Sequence, residues 1–334
     1  MALRGDTDSV LRLTNLSVDF GRGKERVRAV DRVNLTMESG ELVGLVGESG
    51  SGKSSLAYAI MGLLPSEGRV SEGEVWLKPV GTLTELSDQD MSRVRGRHLA
   101  MVFQAAQSSF NPIRTIGSQL RLMLGAHGVS VAEGIERSRK LLAEAQLEPD
   151  RVMKAYPHQL SGGMRQRVGI VFALVLEPEV MVLDEPTTAL DVLSQRVVLD
   201  VVQQLRQRVG TSMLFISHDF SVVASLSNRI GVMYAGQLVE LAATRDLYRR
   251  PRHPYTSLLI QAVPRLRESY GVLKGIPGQP PHLMELPAGC RFAPRCPYAN
   301  ARCHEESPPV RIIDDDRLVA CWRAEDVEGE LEYV

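Results

Sequence analysis

The stretch "GESGSGKSS" (residues 47–55) fits the pattern G-x-x-x-x-G-K-[ST] through Gly47, Gly52, Lys53 and Ser54. It follows an apolar run, "ELVGLVG", that is typical of a buried strand, and it opens a segment with helical character. Glycines let main-chain N–H groups curl around a phosphate, and the helix N-terminus adds partial positive charge. The stretch therefore predicts a phosphate-binding loop, or P-loop, in which Lys53 neutralises phosphates and Ser54 ligates Mg²⁺.

A second apolar run, "VMVLDE" (180–185), ends in two carboxylates. Asp184 at its tip can reach Mg²⁺, directly or through water, and Glu185 can polarise a water molecule that attacks a terminal phosphate. A strand that simply ends in solvated acids would have the same sequence. The P-loop upstream favours a catalytic pair over that interpretation.

A third motif, "LSGGMRQR" (160–167), offers a serine hydroxyl and bare main-chain amides just before an apolar, helix-like segment. This is a second phosphate-binding surface, because a helix N-terminus attracts anions. One nucleotide needs only one such phosphate-binding surface. The presence of a second therefore suggests that each nucleotide is held between two subunits.

The composition excludes several classes of protein. The chain has 334 residues, a formal net charge of −1 and 44% hydrophobic residues, as expected for a globular protein with a sizeable core. Near-neutral charge gives no general attraction to nucleic acid. The N-terminus lacks the apolar run of a secretory signal, and no apolar segment is long enough to cross a membrane. We therefore expect a cytosolic protein, or one held at a membrane only by partners.

Strand-like and helix-like segments alternate along most of the chain, which predicts an α/β fold with a mostly parallel sheet. A largely helical insert is expected over residues 105–175. The amino-acid composition changes near residue 250, after which come proline-rich stretches and all four cysteines. We therefore predict an ATPase-like domain over 8–250 and a C-terminal extension over 251–334.

In combination these motifs resemble the nucleotide-binding subunits of ATP-binding cassette (ABC) transporters, over roughly residues 8–260. The resemblance implies a P-loop NTPase that hydrolyses ATP with Mg²⁺. It also implies a RecA-like core with a helical subdomain and an antiparallel β subdomain, followed here by a small cysteine-rich extension.

The resemblance further implies roles for single residues, each an expectation for this chain. The expected catalytic residues are Glu185, Lys53, the Q-loop residue Gln104 and the switch histidine His218. The expected nucleotide-binding residues are Phe20, which would stack on adenine, Gly47, Ser49, Gly50, Ser51, Gly52, Lys53, Ser54, Ser55, Gln104, Asp184 and His218. Mg²⁺ would be held by Ser54, Gln104 and Asp184. The signature that binds the partner's ATP would be Leu160, Ser161, Gly162, Gly163 and Met164, and the D-loop would end at Asp191.

The segment "RHPYTSLLIQAVP" (252–264) and the cysteines after it resemble the oligopeptide/dipeptide/nickel branch of ABC importers. This implies a second ATPase subunit, two membrane permeases and an extracytoplasmic solute-binding protein as partners, with the chain on the cytoplasmic face of the membrane. Peptide is the expected solute, and nickel, oligosaccharide or another small solute remains open. The alternative from another class is a non-transport ABC ATPase acting in DNA repair or on ribosomes.

The four cysteines, Cys290, Cys296, Cys303 and Cys321, fall within 32 residues, with none in the preceding 289. Their spacing, C-x5-C-x6-C-x17-C, is wider than the tight pairs of structural zinc sites and suits a larger [4Fe–4S] cluster. From the spacing alone a cluster, a zinc ion and unliganded thiols all remain open. The resemblance to the dipeptide branch implies the cluster, which we expect to be structural and remote from ATP.

Overall fold

The computed structural model describes residues 9–104, 109–263, 275–314 and 316–326. The first residue of the predicted ATPase domain, residue 8, and the first four residues of the predicted helical insert, 105–108, lie outside these ranges. The strands are β1 (Ser9–Phe20), β2 (Val27–Glu38), β3 (Leu42–Val46), β4 (Gly68–Leu77), β5 (Gly81–Thr82), β6 (Leu99–Val102), β7 (Val180–Asp184), β8 (Ser212–Ile216), β9 (Arg229–Tyr234), β10 (Gln237–Ala243), β11 (Arg311–Ile313) and β12 (Arg317–Val319). The helices are α1 (Lys53–Met61), α2 (Asp88–Val94), α3 (Ile116–Ala126), α4 (Val131–Glu144), α5 (Pro149–Lys154), α6 (Gly162–Leu174), α7 (Val192–Val209), α8 (Phe220–Leu226), α9 (Thr244–Arg249), α10 (Pro254–Gln261) and α11 (Ala301–Glu305).

Two sheets organise the described residues. The larger has the strand order β11-β12-β10-β9-β3-β8-β7-β6, and its strands from β9 to β6 run parallel. The smaller, β2-β1-β4-β5, is antiparallel. The predicted α/β fold with a mainly parallel sheet is confirmed.

The parallel sheet separates two apolar cores. Along β3, Leu42 and Val46 pack into one core while Val43 and Leu45 pack into the other. This division follows from the alternation of side chains along a strand. Because both faces are covered, the central strands are runs of apolar residues, with a polar residue only at an end: Ser212 begins β8 and Asp184 ends β7.

The end of the chain joins the same sheet. β12 pairs with β10 through Leu241 and Leu318, and β11 adds to its outer side. The predicted extension from 251 onward therefore shares hydrogen-bonded strands with the predicted domain over 8–250. In the described part of the chain, no helix has both the length and the apolarity needed to cross a membrane.

Candidate nucleotide site

The P-loop connects the end of β3 to the start of α1. Gly52 has φ of +101°, and a Cβ at this position would lie 2.3 Å from the carbonyl oxygen of Ala29. At Gly47 a Cβ would lie 2.2 Å from the carbonyl oxygen of Met233. Only glycine fits at either position, so the loop exposes main chain where a phosphate would bind.

Lys53 is buried beneath this loop, with 5% of its surface exposed. Its Nζ donates to the carbonyl oxygens of Gly47 (2.8 Å) and Glu48 (2.9 Å) and to Ser51 Oγ (3.2 Å). Burial lowers the pKa of Lys53, and the nearby carboxylates of Glu185 and Asp184 oppose that shift. The same three N–H donors are chemically suited to phosphate oxygens. Of the other predicted loop residues, Ser49 and Gly50 are exposed at the tip and Ser55 is half-buried on α1.

Ser54 and Asp184 meet at the carboxyl end of β7. Ser54 Oγ donates to Asp184 Oδ1 at 3.2 Å, although the two residues are 130 positions apart. The second oxygen, Asp184 Oδ2, is buried and has no hydrogen-bond partner among the described residues. Burial raises the pKa of Asp184, and the neighbouring Glu185 raises it further. A hydroxyl beside a buried, under-coordinated carboxylate fits the oxygen ligands that Mg²⁺ prefers.

The Glu185 carboxylate contacts three side chains at the carboxyl edge of the parallel sheet. Its Oε2 accepts hydrogen bonds from Gln104 Nε2 (3.0 Å) and Thr188 Oγ1 (2.8 Å), and its Oε1 lies 3.3 Å from His218 Nδ1. Gln104 follows β6, Glu185 follows β7 and His218 follows β8, so three adjacent parallel strands deliver them. Glu185 also has a positive φ of 46°, an uncommon conformation that is found in functional turns.

Thr188 was missed by the sequence analysis. The only signal was its position three residues after Glu185 in "DEPTT", which allows a side-chain contact across a tight turn. Its hydroxyl fixes one carboxylate oxygen of the residue predicted to activate water.

The signature and the D-loop lie together, at the starts of α6 and α7. Ser161 Oγ accepts from the N–H of Met164 (3.3 Å), and the Asp191 carboxylate accepts from the N–H of Ser194 (2.9 Å). Gly163 lies against Ser194, where a Cβ would approach to 3.2 Å. Leu160 is buried and anchors the motif, while Ser161 and Asp191 are exposed. These hydrogen bonds cap the two helices and leave Ser161 and Asp191 at the surface; a role of the signature in binding the partner's ATP stays a prediction.

Phe20 is the last residue of β1 and is half-buried. It pairs with Gly68 of β4, and its ring lies against that glycine, where a Cβ would come within 2.9 Å. This places the ring at the end of the antiparallel sheet. Its role as the adenine-stacking residue stays a prediction.

The four cysteines line one small cavity, together with His253, Phe292 and Trp322. Main-chain N–H groups of Phe292, Tyr298 and Arg323 lower the pKa of Cys290, Cys296 and Cys321, respectively, and oppose the effect of burial. Burial raises the pKa of Cys296 to about 11 and that of Cys321 to about 12. Within the described ranges, no three His, Cys, Asp or Glu side chains converge closely enough to hold a single metal ion. The sulfurs therefore surround a space without meeting at one point.

The segment that carries the cysteines contacts the P-loop, while the expected distance of a cluster from bound ATP stays a prediction. Arg295, which precedes Cys296, forms an ion pair with Glu48, the second residue of the P-loop, at 2.7 Å. Spacing in the sequence gave no sign of this contact because the two residues are 247 positions apart.

The fold and the P-loop site define an ABC-type ATPase. The family description "ABC transporter" matches residues 30–188, and "Oligopeptide/dipeptide transporter, C-terminal region" matches residues 239–303. The chain belongs to the ATP-binding proteins of the oligopeptide/dipeptide family of ABC transporters.

Curated relatives agree over nearly the whole chain. A probable peptide ABC transporter ATP-binding protein of Sinorhizobium fredii is 43% identical and covers 96% of this chain and 96% of its own. The oligopeptide transport ATP-binding protein OppD of Salmonella typhimurium is 40% identical, with 94% and 93% covered. AppD of Bacillus subtilis, with the same description, is 41% identical, with 96% and 99% covered.

Solved structures share the cassette fold. An ATP-binding cassette in a dimeric, post-hydrolysis state with ADP and Pi is 29% identical, with a TM-score of 0.62, and the match covers 70% of this chain and 99% of that one. The protein cbiO1 of Clostridium perfringens, part of the ABC transporter complex cbiONQ, has a TM-score of 0.63 at 21% identity, with 72% of this chain and 91% of that one covered. The latter likeness concerns the fold alone.

Proposed function

We propose that this chain is the ATP-hydrolysing subunit that powers the uptake of di- and oligopeptides through membrane permeases. The observation that carries the proposal is identity of about 40% to peptide-transport ATP-binding proteins over almost the full length of both chains. The match includes the C-terminal region that is specific to the oligopeptide/dipeptide branch.

The geometry supports a division of labour at the nucleotide. Lys53 and the main-chain amides of the P-loop would bind the phosphates, and Ser54 and Asp184 would hold Mg²⁺, with Gln104 as a further candidate ligand. Glu185 would orient and deprotonate the attacking water, since its carboxylate is held by Gln104, Thr188 and His218. His218 is 58% exposed and would be free to turn toward the terminal phosphate.

A second ATPase subunit would complete each site. Ser161 of the signature and Asp191 are exposed, and so are the two apolar side chains that follow Asp191, Val192 and Leu193, each 80% exposed. An exposed apolar pair beside the signature favours a partner at this surface. A related cassette at 29% identity is described as dimeric. In the full system, the pair would sit at the cytoplasmic face beneath two permeases, with a solute-binding protein outside.

Reconstitution tests the proposed transport. The chain, its partner ATPase, the permeases and the solute-binding protein would be assembled in proteoliposomes, and uptake of a labelled peptide library would be measured with and without ATP. We expect ATP-dependent uptake that is abolished by Glu185→Gln. ATPase activity stimulated by DNA or ribosomes, but not by the permeases, would contradict a transport function.

We also propose that Cys290, Cys296, Cys303 and Cys321 bind a [4Fe–4S] cluster. The donor set fits, because four sulfurs surround one cavity and main-chain N–H groups lower the pKa of three of them, which favours the thiolate form that a cluster needs. A zinc ion would need the sulfurs to converge on one point, which they do not. When bound, the cluster would cross-link four distant points of the segment and stabilise it.

Anaerobic purification followed by iron and acid-labile sulfide assays tests this second proposal. We expect about four irons and four sulfides per chain, with a broad visible absorbance that is lost in Cys303→Ser. Colourless protein that carries one equivalent of zinc would refute it. A matched control, Ser307→Ala, changes a residue of the same segment that is not a cavity cysteine.

A further inference from the structure

The part of the chain beyond residue 250, here called the C-terminal segment, forms an ion pair with the side chain of one P-loop residue, Glu48. Arg295 Nη1 lies 2.7 Å from Glu48 Oε2, and Arg295 Nη2 lies 3.0 Å from Glu48 Oε1. This is a bidentate pair, the strongest arrangement available to an arginine and a carboxylate. Only 5% of the Arg295 side chain and 28% of the Glu48 side chain are exposed, so solvent screens the pair weakly.

The main chain of Glu48 is fixed as well. Its N–H donates to the hydroxyl of Tyr255 at 3.0 Å, and its carbonyl oxygen accepts from Lys53 Nζ at 2.9 Å. Tyr255 is fully buried and, like Arg295, comes from beyond residue 250. The N–H of Ser51 also donates to the carbonyl oxygen of Glu48, at 3.2 Å. The contacts from Tyr255 and Arg295 are made by the C-terminal segment, and those from Lys53 and Ser51 by the P-loop itself.

An aromatic wedge holds Arg295 and Tyr255 in place. The ring of Tyr234 lies 4.6 Å from that of Tyr255 and 5.2 Å from that of Phe292, centroid to centroid. The Tyr234 hydroxyl also accepts from Arg295 Nη1 at 3.2 Å, and Arg295 Nε donates to the carbonyl oxygen of Pro277 at 2.7 Å. The guanidinium is thus oriented by fixed groups and has little freedom to leave Glu48.

The charge of Glu48 makes this ion pair matter for the nucleotide. Its carboxylate belongs to the loop whose amides and lysine would receive a polyphosphate. An uncompensated negative charge there repels the ligand, and the repulsion is stronger near a low-dielectric interior than in water. Arg295 supplies the compensating positive charge without touching the phosphate cradle itself.

We propose that Arg295 and Tyr255 are positioning residues for ATP binding, which act by neutralising Glu48 and fixing the P-loop main chain at that residue. The proposal rests on ATP binding at the P-loop, but on neither the peptide substrate nor the iron–sulfur cluster. It gives the C-terminal segment a direct part in nucleotide affinity.

A double-mutant cycle on Arg295 and Glu48, carried out with the purified full chain, tests the proposal. Binding of the non-hydrolysable analogue Mg·AMP-PNP would be measured by calorimetry for the native chain, Arg295→Gln, Glu48→Gln and the double variant. At about 50 mM KCl we expect Arg295→Gln to weaken binding about tenfold, because Glu48 is left unpaired beside the phosphates. Glu48→Gln and the double variant should bind within about threefold of the native chain, since neither keeps the unpaired carboxylate.

Salt dependence separates this electrostatic role from a merely structural one. At about 500 mM KCl the deficit of Arg295→Gln should shrink to about threefold or less, because the Glu48 side chain is 28% exposed and, once unpaired, its repulsion of the nucleotide can be screened by added salt. Native affinity in Arg295→Gln at low salt would overturn the proposal. A double variant as weak as Arg295→Gln would also overturn it, since Arg295 would then act through the fold and not through Glu48.

Two further variants complete the experiment. Tyr255→Phe removes only the hydroxyl that accepts from Glu48 N–H, and we expect binding about three- to fivefold weaker with the aromatic packing kept. Unchanged affinity would remove Tyr255 from the proposal. Arg302→Gln is the matched control: this arginine lies beside Cys303 but pairs with Glu306 inside the segment, and its variant should bind like the native chain. Failure of the native chain itself to bind the analogue would instead refute ATP binding at the P-loop.

Discussion

Replacement of Glu185 by glutamine should separate ATP hydrolysis from ATP binding. The structure indicates that glutamine fits the same space and keeps the contacts of the carboxylate. Its oxygen can accept from Gln104 Nε2 and Thr188 Oγ1, as Glu185 Oε2 does, and its amide can donate to His218 Nδ1 where Glu185 Oε1 lies. What is lost is the negative charge that accepts a proton from water. The folded structure and the P-loop contacts of Lys53 should therefore survive.

The magnitude follows from the role of a general base. A positioned base contributes about 10²- to 10⁴-fold, so turnover of Glu185→Gln should fall by that factor, or by about 3–5 kcal/mol in activation free energy. Affinity for MgATP should stay within about twofold, because Glu185 donates nothing to the phosphates. Phosphate release by the assembled transporter and nucleotide binding by the purified chain measure the two quantities.

The control is a second glutamate–histidine pair, whose glutamate directly precedes strand β7. Glu179 Oε2 lies 3.1 Å from His98 Nδ1, at the opposite end of β7 from Glu185. Glu179→Gln should therefore leave turnover within about twofold of the native value. If Glu185→Gln hydrolyses ATP at the native rate, Glu185 is not the base and the reasoning fails. Equal losses in both variants would point to a general effect on the strand.

Three other substitutions have expected outcomes. Gly52→Ala should lower the free energy of unfolding by about 2–4 kcal/mol, measured by chemical denaturation. Gly81→Ala is the control: Gly81 has nearly the same φ (+102° against +101°), but no atom lies within 4 Å of its Cβ, so the free energy of unfolding should fall by only about 1–2 kcal/mol. Equal losses would argue against the steric clash at Gly52. Asp184→Asn should raise the melting temperature of the nucleotide-free chain by about 2 °C, because it removes a buried and under-coordinated charge. The same variant should abolish the increase in ATP affinity that Mg²⁺ produces. A lower melting temperature would count against this account. Cys296→Ser should weaken ATP binding about fivefold, since it loosens the residue next to Arg295, and unchanged affinity in calorimetry would disconnect the cysteine site from the P-loop.

The residues that the structure brings together at the candidate nucleotide site could largely be selected from the sequence, because its motifs are short and local. The P-loop glycines, Asp184 and Glu185 each sit at the end of a recognisable apolar strand. Once the sheet is parallel, the carboxyl ends of its strands share one edge, so residues far apart in sequence come together there. Gln104 and His218 were weaker as isolated residues, and the resemblance to a known family was needed to single them out.

The contacts of the C-terminal segment could not be predicted in this way. β11 and β12 have three residues each, too few to show a period in the sequence. The pairing of Arg295 with Glu48 depends on a wedge of Tyr234, Tyr255 and Phe292, whose members come from three separate stretches. No local rule links an arginine in a proline-rich tail to a glutamate in a glycine-rich loop.

The cysteine segment is tied to the P-loop region at two points, and both ties use an arginine next to a cysteine. Arg291, which follows Cys290, pairs with the buried Asp31 at 2.5 Å, and Arg295, which precedes Cys296, pairs with Glu48. The N–H of Asp31 donates to the carbonyl oxygen of Gly236, whose own N–H donates to the carbonyl oxygen of Ser51 in the P-loop. A group that fixes Cys290 and Cys296 would therefore also fix the two arginines, and through them both sides of the loop. Such a group would connect the stability of the tail to the conformation of the P-loop, a link that neither the motif pattern nor the cysteine spacing implies.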